Sequence, residues 1–183
     1  MTSLKNLAQK INSCKLCELH KNRTNGVPGT GIKSATIMII GEAPGKKEDE
    51  QGKPFVGQAG KVLDELLKEI NLDRKKVFIA NIVKCRPPEN RDPLKKEIKK
   101  CFPYLEKQIK IIDPKIIVTL GRHAMNTLLP KDKISELHGK TKNSEILNEK
   151  KIFVMYHPAF ALYNPRKKDI LKKDIRKIKK YLK

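Results

Sequence analysis

The chain has 183 residues, 41 Lys+Arg against 20 Asp+Glu, a net charge of +21, and 38% hydrophobic content with no Trp. The length suits one domain, the apolar content excludes wholesale disorder, and no stretch approaches the roughly 20 apolar residues of a membrane span. So positive a balance repels itself unless a polyanion screens it, which points to nucleic acid first and an anionic membrane surface second.

The first residues, MTSLKNLAQKI, lack the apolar segment of a signal peptide, so the cytosol is the expected compartment. In that compartment cysteines serve as metal ligands or redox residues more readily than as disulfides. Cys14 and Cys17 form a C-x2-C pair, and Cys85 and Cys101 follow far downstream, giving C-x2-C-x67-C-x15-C. Four thiolates gathered by a fold suit a tetrahedral zinc or a cubane iron–sulfur cluster. The second half lacks the close pair of a zinc ribbon, which leans toward the cluster; four unrelated buried thiols are the third option.

Four short apolar runs follow, at residues 36–40, 77–83, 116–120 and 152–156. Each is rich in β-branched or aromatic residues and nearly continuous, the pattern of a strand covered on both faces. The first leads into Gly41-Glu42-Ala43-Pro44-Gly45, with Glu48 and Asp49 behind it. Glycines there allow close backbone approach, Pro44 stiffens the turn, and a carboxylate at the mouth can hold a water or act as a base. The loop is no phosphate-binding motif, since it lacks G-x-G-x-x-G and G-K-[ST].

Next, GKPFVG holds Phe55 in a non-helical segment, as a core plug or a stacking platform. Val62, Leu63, Leu66, Leu67 and Ile70 then recur at helical spacing. The second run carries Asn81 among apolar neighbours and runs on to Cys85 and Asn90; a buried amide at a strand's end needs partners that a ligand could supply. Asp92-Pro93 opens a helix bearing Ile98, Phe102, Leu105, Ile109 and Ile112. Past the third run, residues 130–151 are polar and lysine-rich with a break at Gly139, and read as an exposed hairpin or loop. The fourth run ends in Tyr156-His157-Pro158-Ala159-Phe160. The last stretch, 167–183, holds nine Lys/Arg against two Asp, with Ile170, Leu171, Ile175, Ile178 and Leu182 on one helical face. It reads as a basic helix docked by that face, or alternatively as a direct DNA contact.

Strand and helix alternate, so the expected fold is a small α/β sandwich with right-handed crossovers. In such sheets ligands bind beyond the carboxyl ends of the strands, here the loops after Ile40, Val83, Leu120 and Tyr156. A Glu, a Phe, an Asn and a His fall on loops that this topology converges on one crevice.

GEAPGKKEDEQGKPFVGQAG, NIVKCRPPENRDP and MYHPAF, together with the four-cysteine spacing, closely resemble the family 4 uracil-DNA glycosylases, from Cys14 to at least Asn164. The resemblance implies a three-layer α/β/α sandwich with a central four-stranded parallel sheet, one domain over 1–183, and a [4Fe–4S] cluster on Cys14, Cys17, Cys85 and Cys101 that braces rather than catalyses. It implies hydrolysis of the uracil N-glycosidic bond in DNA. Phe55 resembles the family's stacking aromatic and Asn81 its uracil reader. The backbone at Glu42 and Ala43 resembles a further contact to the base. His157 resembles the donor to uracil O2, and Glu42 the carboxylate that positions the attacking water. Glu48 is placed to exclude the thymine methyl, and Asn90 falls at a motif position near the site. Leu162 and Tyr163 are candidate wedges in the loop that props open the vacated stack, and Arg166 a phosphate contact. The partner implied is uracil-containing DNA, single- or double-stranded, with a sliding clamp or other repair proteins as candidates and no membrane. A monomer beside the nucleoid is expected. Two alternatives remain at this level: a non-catalytic metal-centred nucleic-acid module, and a related glycosylase with a broader range of deaminated bases.

Overall fold

The computed structural model describes residues 3–162 and 164–182. Six strands form one sheet: β1 (Thr30–Gly31), β2 (Ile37–Gly41), β3 (Phe78–Asn81), β4 (Ile116–Leu120), β5 (Thr141–Ser144) and β6 (Lys150–Met155). Their spatial order is β1-β3-β2-β4-β6-β5. The central four are parallel and derive from the four apolar runs. Two short antiparallel edge strands, β1 and β5, extend the expected four-stranded sheet to six. Neither carried an apolar run: β1 is two residues and β5 reads TKNS, which suits an edge facing water.

Within residues 130–151 only β5 pairs antiparallel with β6, and the stretch is not wholly exposed. A short helix, α6 (Ile134–Leu137), precedes β5, Ser144 and Leu147 are buried, and Ser144 Oγ donates to the Leu128 carbonyl at 2.6 Å.

β2 and β4 are buried at every position, as central strands covered on both sides must be. Their side chains alternate between two cores. Met38 and Ile40 face helices α4 (Lys95–Ile112) and α5 (Arg122–Leu128), with Leu105, Ile109, Met125 and Leu128. Ile37 and Ile39 face α3 (Gln58–Lys68), through Leu63, Leu66 and Leu67, and α7 (Pro165–Arg176), through Leu171 and Ile175. The three layers of the sandwich are therefore real. The two remaining α-helices among the longer elements are α1 (Leu4–Asn12), which packs on α4, and α2 (Lys46–Gln51).

α4 starts two residues beyond the Asp92-Pro93 signal. The Glu97 carboxylate accepts the Leu94 N–H at 2.7 Å and both Arg91 guanidinium nitrogens at 2.7 and 2.9 Å, which fixes the first turn there. At the other end of the chain, α7 is docked: Lys172 and Arg176 each reach Glu69 at 2.7 Å, and Lys168 pairs with Glu65. The α-helix stops at Arg176 and continues as a 3-10 turn over Lys177–Tyr181, so Ile178 is buried while Leu182, expected on the same face, is exposed. Among the described residues no helix is long and apolar enough to cross a membrane.

Candidate active site

The carboxyl ends of β2 and β3 lie side by side, pairing Gly41 with Asn81. The second apolar run leaves the sheet at Asn81, yet Ile82 and Val83 still donate to the carbonyls of Gly41 and Glu42, at 2.9 and 3.1 Å. Phe55 closes over this point from its own loop, in a left-handed conformation (φ 53°) and only 7% exposed. Glu48 holds the loop through Oε1, which accepts from the N–H groups of Val56 (2.9 Å) and Gly57 (2.8 Å). Arg74 donates to the Pro54 carbonyl at 2.6 Å from the other side. Only glycine fits at 41: a Cβ there would lie 2.7 Å from the Phe55 ring and 2.5 Å from Asn81 Oδ1.

Asn81 Oδ1 is buried without a hydrogen-bond partner, one of two such side-chain atoms among the described residues, with Thr119 Oγ1. Leaving an acceptor unmet costs about 1–3 kcal/mol, which a ligand's N–H would restore. Phe55 is packed in the core, and its ring and Asn81 Oδ1 both lie against Gly41.

His157 enters the same crevice from the end of β6, with its ring centroid 5.7 Å from that of Phe55. It caps the 3-10 turn Pro158–Ala161, and its Nδ1 accepts the Ala159 N–H at 3.2 Å. Burial by the surrounding protein pushes its pKa down to about 4, with Glu48 opposing. The ring is therefore neutral at pH 7, and its proton belongs on Nε2. Gly121, at φ 89°, packs against the His157 Cβ at the end of β4. Below, Tyr156 stacks between Phe160 (4.6 Å) and His138 (4.7 Å), and His138 Nδ1 lies 2.8 Å from the buried Asp174 carboxylate.

Glu42 is half-buried next to Gly41. Its carboxylate gathers with Asp92 and His123, ligand atoms all lying within 4.8 Å of one another. Burial raises its pKa; His123 and Arg122 pull it down and Asp92 pushes it up. Asp92 in turn meets His123 Nε2 at 3.1 Å and Arg122 at 3.5 Å. No sequence signal singled out Asp92 or His123 as neighbours of Glu42, although His123 lies just past Leu120, one of the expected site loops.

The four cysteines are free and line one cavity, together with Ile11, Arg23, Lys84 and Tyr104. Arg23 donates to Cys85 Sγ at 2.9 Å and to the carbonyls of Ile11 and Cys14, at 3.1 and 3.2 Å. The Lys84 N–H donates to Cys101 Sγ at 3.2 Å. Burial pushes the Cys101 thiol up to about 12 and raises Cys17 and Cys85 too. Four clustered thiols with a guanidinium and an amide aimed at their sulfurs are a donor set suited to a soft metal centre, which would hold them as thiolates.

The other expected residues fall outside this crevice or at its edge. Ala43 is half-buried against the α4/α5 core. Asn90 is exposed, at φ 56°, and accepts from Arg86 Nε at 2.8 Å. Leu162 packs partly buried against the α3/α7 core, and Arg166 is exposed in the first turn of α7, its N–H capped by Asn164. Tyr163 lies outside the described residues.

Residues 28–183 match the family described as the uracil DNA glycosylase superfamily. The chain is 50% identical to the type-4 uracil-DNA glycosylase of Sulfurisphaera tokodaii, over 98% of this chain and 84% of that one. It is 45% identical to the type-4 enzyme of Archaeoglobus fulgidus (97% and 92%) and 40% identical to that of Thermotoga maritima (97% and 93%).

Proposed function

The chain belongs to the uracil DNA glycosylase superfamily, and from that premise we propose that it hydrolyses the N-glycosidic bond of uracil in DNA. The products are free uracil and an abasic site, the opening step of base excision repair. The observation that carries this reading is the orphaned Asn81 Oδ1 beside the Phe55 ring.

A uracil extruded from the stack, at a cost of a few kcal/mol, lays its π-face on Phe55. Its N3–H donates to Asn81 Oδ1, and the Asn81 amide donates to O4. Cytosine reverses that pattern and would leave the buried oxygen unmet, a penalty that discriminates by orders of magnitude. The backbone at Ala43 adds a contact to the base. Glu48, by holding the Val56–Gly57 backbone, fixes the wall that a thymine C5 methyl would meet.

Bond cleavage leaves an oxocarbenium-like sugar and a uracil anion. His157 Nε2–H, present because Nδ1 is occupied as an acceptor, donates to O2 as negative charge develops there. Glu42, as a carboxylate, orients the attacking water and stabilises the cation. Asn90 and Arg86 shape the loop beyond Cys85, Leu162 and Tyr163 are the candidate wedges into the vacated stack, and Arg166 contacts a phosphate. The +21 charge supplies sequence-independent backbone attraction.

Cys14, Cys17, Cys85 and Cys101 would hold a [4Fe–4S] cluster, whose chemistry here is to brace the loops that carry the site. A monomer in the cytosol, beside the nucleoid, fits the charge and the likeness to repair glycosylases.

The test is a base panel. Cluster-loaded protein is incubated with matched oligonucleotides bearing U, T, C or hypoxanthine, and products are resolved after alkaline cleavage. Cleavage at U with free uracil released is expected; an intact U strand after long incubation overturns the reading.

A further inference from the structure

Lys84 is 1% exposed, an unusual place for a lysine. It lines the cysteine cavity and hydrogen-bonds both to Asn81 and to Cys101. Its Nζ donates to the Asn81 carbonyl at 2.7 Å, turning the chain back on the end of β3. Its backbone N–H donates to Cys101 Sγ at 3.2 Å, and its carbonyl accepts the Val27 N–H at 2.7 Å. Gln108, on α4, completes the link: its Oε1 accepts from Lys84 Nζ at 2.7 Å, and its Nε2 donates to the Pro28 carbonyl at 2.5 Å. Three segments, 27–28, 81–85 and α4, are thereby tied through one side chain and its amide partner.

The consequence falls on Asn81. Its carbonyl is drawn toward Lys84 and Gln108, on the α4 side, while its Oδ1 faces Gly41 and the Phe55 ring, which belongs to the opposite core. At a strand end, pinning the carbonyl sets the plane from which the side chain projects. The next residue but three, Cys85, is a cluster ligand in the reading above, so the turn that aims the base reader is also the turn that presents a sulfur.

We propose that Lys84 is a positioning residue that couples the four-cysteine centre to base recognition, holding the Asn81 carbonyl with its ammonium while its own N–H rests on Cys101 Sγ. This rests on the reading of Asn81 as the uracil reader. Assembly of the cysteine centre fixes the 84–85 backbone and so the aim of Asn81, and loss of the Lys84 tether loosens base selection without weakening attraction for the DNA backbone.

The test uses cluster-loaded Lys84→Met and Gln108→Leu variants beside the wild type. Four quantities are read: visible cluster absorption per chain, affinity for uracil-free oligonucleotide, inhibition by free uracil, and kcat and KM on a U-containing strand. Lys84→Met is expected to keep its absorption and its affinity for uracil-free DNA. Inhibition by uracil should weaken by about tenfold or more, with a matching fall in kcat/KM. Gln108→Leu should shift the same two quantities in the same direction, less strongly. Unchanged uracil inhibition and kcat/KM in loaded Lys84→Met overturn the proposal. Where that variant fails to fold or load, Gln108→Leu decides, and unchanged uracil inhibition in it overturns the proposal. A wild type that releases no uracil refutes the glycosylase reading instead, and the two failures are distinct.

Discussion

The N–H of Ala159 donates to Nδ1 of His157 at 3.2 Å, which leaves Nε2–H as the donor of the neutral ring. Burial pushes the pKa of this imidazole down to about 4, so it stays neutral through the physiological range. An NMR titration of the loaded protein should find His157 unprotonated at pH 6, against an ordinary value of 6.5. Protonation at pH 6 would show that an imidazolium, not an imidazole, faces the base. The sign for stability follows: below pH 6.5 the unfolded chain takes up a proton that the folded one refuses until about pH 4, so this residue lowers stability on acidification across that window. His157→Ala should keep DNA affinity and lose about 100- to 1000-fold in kcat, the scale of one lost oxyanion donor.

Glu42 sets the acid limb of the rate in the proposed mechanism. Its role needs the carboxylate, and burial raises its pKa, so the rate should fall on acidification from above the usual carboxylate range. Asp92, a like charge beside it, adds to the rise, while His123 opposes it. Asp92→Asn should therefore move the acid limb of kcat/KM to lower pH, and His123→Gln should move it to higher pH. Single-turnover rates across pH 4 to 8 read both directions. Shifts of the same sign in the two variants would separate these residues from Glu42.

Gly41 forms the floor between Phe55 and Asn81. A methyl at this position would lie 2.7 Å from the ring and 2.5 Å from Oδ1, too close for either to stay. Gly41→Ala should displace the reader or the platform and cost about 100-fold in kcat/KM, the usual penalty for an ångström of misplacement. Binding to uracil-free DNA should be unchanged. A fully active Gly41→Ala enzyme would mean that the base is seated elsewhere.

How much of this was legible in the sequence depends on the range of the interaction. The four central strands announced themselves because burial on both faces demands continuous apolar runs, and their carboxyl ends located the crevice holding Phe55, Asn81 and His157. β1 and β5 did not, because an edge strand of polar or tiny residues has no pattern to read. The Asp92–His123 pair and the Lys84–Gln108 tether join residues 31 and 24 positions apart, respectively. Nothing local marks either residue of such a pair, and Lys84 among 41 basic residues looks like surface charge until it is found buried. Glu48 could be singled out in the loop after the first apolar run, but its hold on the Val56 and Gly57 amides needed the folded loop.

On the basic C-terminal helix, charge committed to the fold can be told from charge left free to meet DNA. Lys172 and Arg176 are committed to Glu69, whose carboxyl their hydrogen bonds hold down to about 2, and Lys168 to Glu65. Arg166, in contrast, is exposed at the first turn of α7, just after the loop that follows His157. Each phosphate neutralised on duplex DNA contributes about 0.9 to the slope of log affinity against log salt. Arg166→Gln should therefore flatten that slope by about one, uniformly across sequences. The double change Lys172→Gln with Arg176→Gln should leave the slope nearly as it is and instead lower Tm, because it unpins α7 from α3. Fluorescence anisotropy over a salt series with a thermal melt on each variant reads both. A flattened slope in the double variant, with Tm unmoved, would turn that face of α7 into the DNA contact and make the Glu69 pairs incidental.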